Sequence, residues 1–438
     1  MILIYAQQNS PRLEYAAEVI FRWILKLKVP VNITLEAEEY MQFNGRKINY
    51  SEVNLKAGLH IPPSGFLFQT GVKPAFPGIT HGAYGKALFP VDGSEDFVYD
   101  VFSAVFYMVS RYEEYLPHST DSHDRYVPEN SIAFQHNFLD KPMVHYWAEE
   151  LKDKLMLRYP GYEFPVKKFR VEATIDVDNG FAYLGKGILR TFGGYAKDLI
   201  KGRVRSMEER THVLTGNKKD PFDHYKFQKK ICEKFDVPLR YFILTSEKTE
   251  FDHNLDPDSR AFRKLVKKLQ RCGRIGLHPS YHSYLDPQKI GSELKKLKDV
   301  SKRKKMIASR QHFLRMKLPE TYRSLLKTGI IKDYSMGYAT LPGFRAGIAE
   351  PFPFYDITEE KRTSLIVRPF AVMDTAYRDY LKYRPEDALI HMETMLEEVK
   401  KVSGLFIFVW HDRSFAPWPE FKGWRSVFIE LLKLAARK

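Results

Sequence analysis

Two short stretches hold residues from which hydrolytic chemistry could be built. TIDVDNG sets Asp176 and Asp178 two residues apart, and GLHPSYHS sets His278 and His282 four apart. Two imidazoles and one carboxylate are a normal ligand set for a divalent ion, zinc above all, when a further position is left open for water. The second aspartate is then free to take a proton from that water. Another group must protonate the leaving atom, and His411, which ends the apolar run FIFVW, has the right chemistry. Each piece also has a plainer reading. Paired aspartates cap helices and turns, histidines are only sometimes ligands, Arg345 in GFRAG reads alone as an ion-pair residue, and His411 could be a satisfied core histidine.

The elements that must position these residues give them more weight. From about Phe169 the pattern alternates strand and helix, with candidate strands at 169–175, 239–244, 274–277, 330–334, 364–368 and 405–410. Helices are predicted from Asp220-Pro221, from Asp286-Pro287, over 385–402 and over 420–436. The polar residues fall just after strands: Asp176 and Asp178 after the first, His278 and His282 after the third, Asp374 after the fifth, His411 and Asp412 after the last. Arg345 lies near the fourth. That is where catalytic residues gather in βα barrels. The fold expected is α/β: a distorted (β/α) barrel of about six or seven strands over 166–438, preceded by a smaller α/β accessory domain of unknown function over 1–165. In that first part a strand at 2–5, a helix opened by Ser10-Pro11 and running through Ile24, and a hairpin turn at Asn44-Gly45 are predicted. Helical patterns follow over 96–115 and 145–157, and Tyr159-Pro160-Gly161 marks the boundary.

Composition bounds the function. A chain of 438 residues, 44% hydrophobic and without low-complexity tracts, reads as a globular protein of two domains. The excess of 69 Lys+Arg over 54 Asp+Glu favours anionic partners. No secretory signal is read at the start, the longest apolar run is far too short for a membrane span, and two cysteines make no disulfide framework. The expected location is the cytoplasm, peripheral to the inner membrane. The membrane expectation rests on a basic insert at 185–205, where Lys186, Arg190, Lys197, Lys201, Arg203 and Arg205 mingle with Ile188, Leu189, Phe192, Leu199 and Ile200. No nucleic acid partner is expected. The loop His123-Asp124-Arg125-Tyr126 reads as a polar surface loop with a salt bridge and is left out of the site.

Taken in order, the motifs resemble those of the polysaccharide deacetylases of carbohydrate esterase family 4, the NodB-homology group. TIDVDNG is similar to the family's T-F-D-D-G, HPSYHS to H-[ST]-x-x-H, GFRAG to the arginine motif, and VWHD to the late histidine motif. The resemblance covers roughly Phe169 to the C-terminus, and the N-terminal part resembles an uncharacterised domain that precedes such enzymes in some bacteria. It implies Asp176 as the base, Asp178, His278 and His282 as metal ligands, Arg345 as the partner of Asp176, His411 as the acid and Asp374 as the carboxylate orienting it. The implied cofactor is a divalent metal, zinc, and the implied reaction removes an N-acetyl group from an amino sugar in a glycan or glycolipid. The chain departs from the pattern in three places. Val177 separates the aspartates, Pro279 stands where a hydroxyl residue is usual so that the loop must be held differently, and the arginine motif lacks its nearby proline and tyrosine. Two rivals are a glycosyltransferase using D-V-D to hold a metal against a nucleotide sugar, and a non-catalytic glycan- or membrane-binding relative.

Overall fold

The computed structural model describes residues 1–437. Its first part is built on a four-stranded parallel sheet of β1 (Ile2–Ala6), β2 (Val31–Thr34), β3 (Arg46–Tyr50) and β4 (Leu59–His60), ordered β2-β1-β3-β4. The helix after β1 starts where the sequence predicts. The Ser10 hydroxyl accepts from the Leu13 amide and Pro11 takes the first helical position. The chain then continues through widened turns to Ile24. The hairpin predicted at Asn44-Gly45 does not form, because β2 and β3 both run parallel to β1 and the helix Ala37–Gln42 connects them. A hairpin occurs instead between β5 (Ile79–Gly82) and β6 (Gly85–Leu88).

The larger sheet holds β7 (Arg170–Val177), β8 (Leu239–Leu244), β9 (Arg274–His278), β10 (Ala308–Ser309), β11 (Lys332–Asp333), β12 (Phe352–Asp356), β13 (Lys361–Val367), β14 (Val372–Met373) and β15 (Leu405–His411). Their order is β12-β13-β11-β10-β9-β8-β7-β15-β14, and every pair is parallel except β12 with β13. The sheet is open among the described residues, which corrects the expected barrel. One edge is the two-residue β14. The other is β12, where Pro353 has no N–H to offer a further strand and its carbonyl accepts from the Tyr15 hydroxyl at 2.7 Å. The first helix of the chain thus caps the edge that a barrel would need for closure. Helices 287–301, 385–401 and 424–436 lie close to where the sequence puts them, the first capped by Asp286 through the Gln288 and Lys289 amides.

Buried apolar side chains run without interruption through both parts of the chain. The segment GFRAG lies at their junction. Phe344 N–H donates to the Leu139 carbonyl at 2.8 Å, and Val144 N–H donates to the Gly347 carbonyl at 3.0 Å. Gly343 has φ +153°, and a Cβ there would meet Leu139 at 2.6 Å, so this close approach needs glycine. No helix among the described residues is long and apolar enough to cross a membrane.

Candidate active site

Parallel pairing brings the carboxyl ends of β7, β9, β10, β14 and β15 to one rim of the sheet, where five short segments supply the polar residues. In a strand, residues two apart share a face. The D-V-D spacing therefore points Asp176 and Asp178 the same way at the end of β7, both buried, and leaves Val177 for the opposite side. Register sets His411 of β15 beside Asp176, and Leu244 of β8 beside His278 of β9.

The metal-ligand geometry is formed by Asp178, His278 and His312, whose ligand atoms lie within 4.8 Å of one another. Asp178 Oδ1 is 3.4 Å from His278 Nε2 and 3.8 Å from His312 Nε2, and it is buried without a hydrogen-bond partner. Both imidazoles are oriented from behind. His278 Nδ1 faces the Arg310 carbonyl, and His312 Nδ1 is 2.8 Å from Asp252 Oδ1. This is how metal-ligating histidines are commonly held, with one nitrogen fixed by an acceptor and the other free to bind. A divalent cation here would satisfy a carboxylate oxygen that otherwise carries the cost of burial unpaired, so the residues fit such an ion. Burial raises the pKa of Asp178, but the His278 contact and the charges of His312 and His411 outweigh it and hold the carboxyl well below its ordinary range. His278 responds in the opposite sense: burial works against its charged form, and Asp176 and Asp178 prevail to hold it above 6.5.

His282 does not join the cluster. Four-residue spacing brings side chains together only on a helix, whereas Pro279–Ser283 is a turn closed by Ser283 N–H on the Ser280 carbonyl at 3.0 Å. That turn aims His282 outward, 42% exposed, with Nε2 3.3 Å from Glu250. The turn also shows what replaces the usual hydroxyl residue at Pro279. Ser280 N–H donates to Glu293 at 3.0 Å, Tyr281 N–H donates to Asp252 at 3.1 Å, and the Pro279 carbonyl accepts from His312 N–H at 3.1 Å. Asp252 therefore ties the His-Pro turn to the ring of His312. Burial of Glu293, against its bonds from Ser280, pushes its carboxyl up to about 7.

Arg345 is displaced from its expected partner in the same way. Its guanidinium is 2% exposed, donates to both Glu114 oxygens at 2.8 and 2.7 Å and to the Gly337 carbonyl at 3.0 Å, and so joins the two parts of the chain. The cation on Asp176 is Arg310, fully buried, which donates to Asp176 Oδ1 at 2.8 Å, to Thr174 Oγ1 at 2.9 Å and to the Tyr334 carbonyl at 3.0 Å. Neither Arg310 nor His312 was found from the sequence. They follow β10, whose two residues are too short for a strand pattern. The usable signal was R-x-H following Met306-Ile307-Ala308-Ser309.

His411 and Asp374, placed after separate strands, meet in the structure. Asp374, just beyond β14, accepts from His411 Nδ1 at 2.6 Å and from His411 N–H at 3.0 Å. Burial opposes charge on His411, yet Asp374 outweighs it and holds the imidazole above 6.5, while Asp374 itself is brought down to about 2 against the effect of burial. Asp412 holds the turn after Asp178 by accepting from the Asn179 and Gly180 amides at 3.2 and 2.7 Å. Burial, together with the charge of Asp178, pushes it up to about 6.

Asp176, Asp178, His278, His312 and His411 line a cavity of about 310 Å³, and its wall includes a residue from the first part of the chain. Arg125 is 5% exposed. It donates to the Phe313 carbonyl at 3.0 Å, to the Tyr380 hydroxyl at 3.2 Å and to Asp121 at 2.7 Å. Its neighbour His123 sits 3.1 Å from the Tyr281 hydroxyl and packs on Phe313. The loop has the expected salt bridge, but it is part of the cavity wall rather than free surface.

A model of DUF7033, a family of unknown function, matches residues 2–160. No curated protein matches the chain. Among solved structures, a protein from Mycobacterium smegmatis described as a polysaccharide deacetylase overlays with a TM-score of 0.40 at 14% identity, over 63% of this chain and 86% of that one. The polysaccharide deacetylase Bc1974 from Bacillus cereus gives 0.31 at 11%, over 61% and 88%. A 4-alpha-glucanotransferase from Thermococcus litoralis gives 0.35 at 13%, over 62% and 37%. Overlays this loose leave the reading of the site to its own geometry.

Proposed function

We propose that the chain is a zinc-dependent hydrolase that removes an N-acetyl group from an amino sugar in a glycan or glycolipid. The observation that carries this reading is the buried Asp178–His278–His312 set, with its unpartnered carboxylate oxygen and tethered imidazoles, flanked in one cavity by Asp176 and His411. When bound, the ion supplies Lewis-acid activation of water and of the amide carbonyl. The remaining work falls to the chain. Arg310 fixes Asp176 through Oδ1 and leaves Oδ2, 3.9 Å from His278 Nε2, to accept the proton of the attacking water. Asp374 fixes the His411 ring through Nδ1, so that Nε2 can pass its proton to the departing amine. Arg125 and the loops it clamps keep the cavity wall in place.

Metal analysis of the purified full chain, beside deacetylation of N-acetylated chitooligosaccharides, tests the reading. Stoichiometric zinc is expected, with activity that falls on chelation and returns with zinc. Asp176→Asn is expected to keep the metal and lose at least about a hundredfold in turnover, the general acid–base scale. Wild-type protein that takes up no divalent metal would sink the proposal.

A further inference from the structure

The helix Ile188–Ile200 is amphipathic in an inverted sense. At about 100° per residue, Ile188, Leu189, Phe192, Ala196, Leu199 and Ile200 fall within an arc of about 120°. Such a stripe ordinarily faces a core, yet here the five large side chains are between 69% and 89% exposed. The face turned to the protein is the polar one. Asp198 is buried and pairs with Arg210 of the following helix, Val204–Leu214, at 2.7 Å, and the Tyr195 hydroxyl meets Thr211 at 2.8 Å. Gly194 lets the Arg210 guanidinium lie against the helix, where a Cβ would meet it at 2.4 Å. Polar packing thus holds the pair of helices together with the apolar stripe outermost. Val204, 61% exposed, continues the stripe onto the second helix.

The charges complete the pattern. Lys197, Lys201, Arg203 and Arg205 are exposed, and the Asp198–Arg210 bridge is the ion pair that the first helix makes among the described residues. Lys186 and Arg190 point the other way. Lys186 reaches the Asn179 carbonyl at 3.3 Å, and Arg190 reaches the carbonyls of Asn254 at 3.4 Å and His253 at 3.5 Å. Asn179 and His253 line the cavity of the candidate active site, so the helix begins at its rim.

We infer that the helix pair 188–214 is a membrane-seating device: the apolar stripe enters the interface of an anionic bilayer and the four free cations meet lipid phosphates, with the cavity held at that surface. An interfacial helix needs an apolar face, a basic flank and a modest length, and this one has all three without being able to span. Four cations without an ion-pair partner among the described residues border five outward apolar side chains, the combination that an anionic interface meets with phosphates and acyl chains. The inference does not depend on the reaction assigned to the cavity.

Sedimentation of the full chain with phosphatidylcholine vesicles, with and without phosphatidylglycerol, tests it. Binding is expected with the anionic lipid, weakening as salt rises. The variant Leu189→Asp/Phe192→Asp/Ile200→Asp is expected to lose at least about tenfold in partitioning, from the apolar area it withdraws. Because these side chains are exposed, it should keep its melting temperature and metal content. Phe192→Trp gives a second readout, with a blue shift of tryptophan emission on adding anionic vesicles. Equal partitioning of the triple variant, no binding by the wild type, no emission shift, or a wild-type dimer that the triple variant dissolves would each overturn the inference.

Discussion

Two buried arginine–carboxylate pairs, Arg310–Asp176 and Arg345–Glu114, have the same chemistry and different surroundings. Around Arg345 both carboxylate oxygens are met at 2.7–2.8 Å, Arg111 adds a second cation on Glu114, and the bonds run between the two parts of the chain. Burial alone would raise Glu114, but Arg345 and Arg111 bring it down to about 2. Around Arg310 one carboxylate oxygen is met and the other lies 3.9 Å from His278 Nε2, beside a cavity where an Asp178 oxygen has no partner. A pair that is fully satisfied holds a fold together. A pair that leaves ligand atoms facing open volume prepares a site for something the chain itself does not provide.

The largest effect that would break this distinction is expected at His312. His312→Ala should lose stoichiometric zinc and fall in activity beyond about a hundredfold, more than a change behind a ligand produces. Metal analysis and turnover on a chitooligosaccharide check it, and full retention of zinc would remove His312 from the set. Arg345→Met, by contrast, should cost about 1–3 kcal/mol of stability by leaving Glu114 Oε2 buried without a partner while Arg111 still holds Oε1. Denaturant unfolding reads this, while zinc per folded chain stays at the wild-type level. Asp374→Asn sharpens the acid end. Asp374 raises the pKa of His411, so the protonated acid persists to higher pH in the wild type. In the variant the alkaline limb of the rate profile should move to lower pH, with turnover down about tenfold or more. An unmoved limb would detach Asp374 from the acid. Arg125→Ala should raise KM about tenfold, the scale of a lost hydrogen bond to a charged group, with zinc retained. A KM unchanged from wild type would make the loop a wall without influence on substrate. The smallest change is expected at His282→Ala, with stability within about 0.5 kcal/mol and zinc intact.

How much of this could be read in the sequence follows from the range of each interaction. The D-V-D face, the capped helices at Ser10 and Asp286, and the long strands β7, β8, β9 and β15 depend on neighbours within a few residues, and they lie where predicted. His278 and the pairing of His411 with Asp374 were also legible, since each follows an apolar run. The short strands β10, β12 and β14 were not, because two to five residues pinned by pairing leave little periodicity of their own. The spacing of His278 and His282 does not carry their geometry: the same four-residue interval is a shared face on a helix and a divergence in the Pro279–Ser283 turn.

By itself the sequence determined which end of the sheet would gather polar residues and that carboxylates and imidazoles would meet there. It also determined that a basic, apolar segment would interrupt the chain at 185–205. Only the tertiary structure decided which histidine completes the set, which arginine holds Asp176, and that the sheet stays open with Arg125 of the first part in the cavity wall. The reason is physical. Backbone preference and side-chain period act locally, whereas a ligand set, a buried ion pair and a closed edge are each fixed by groups far apart in sequence, whose separation is set only once the core is packed.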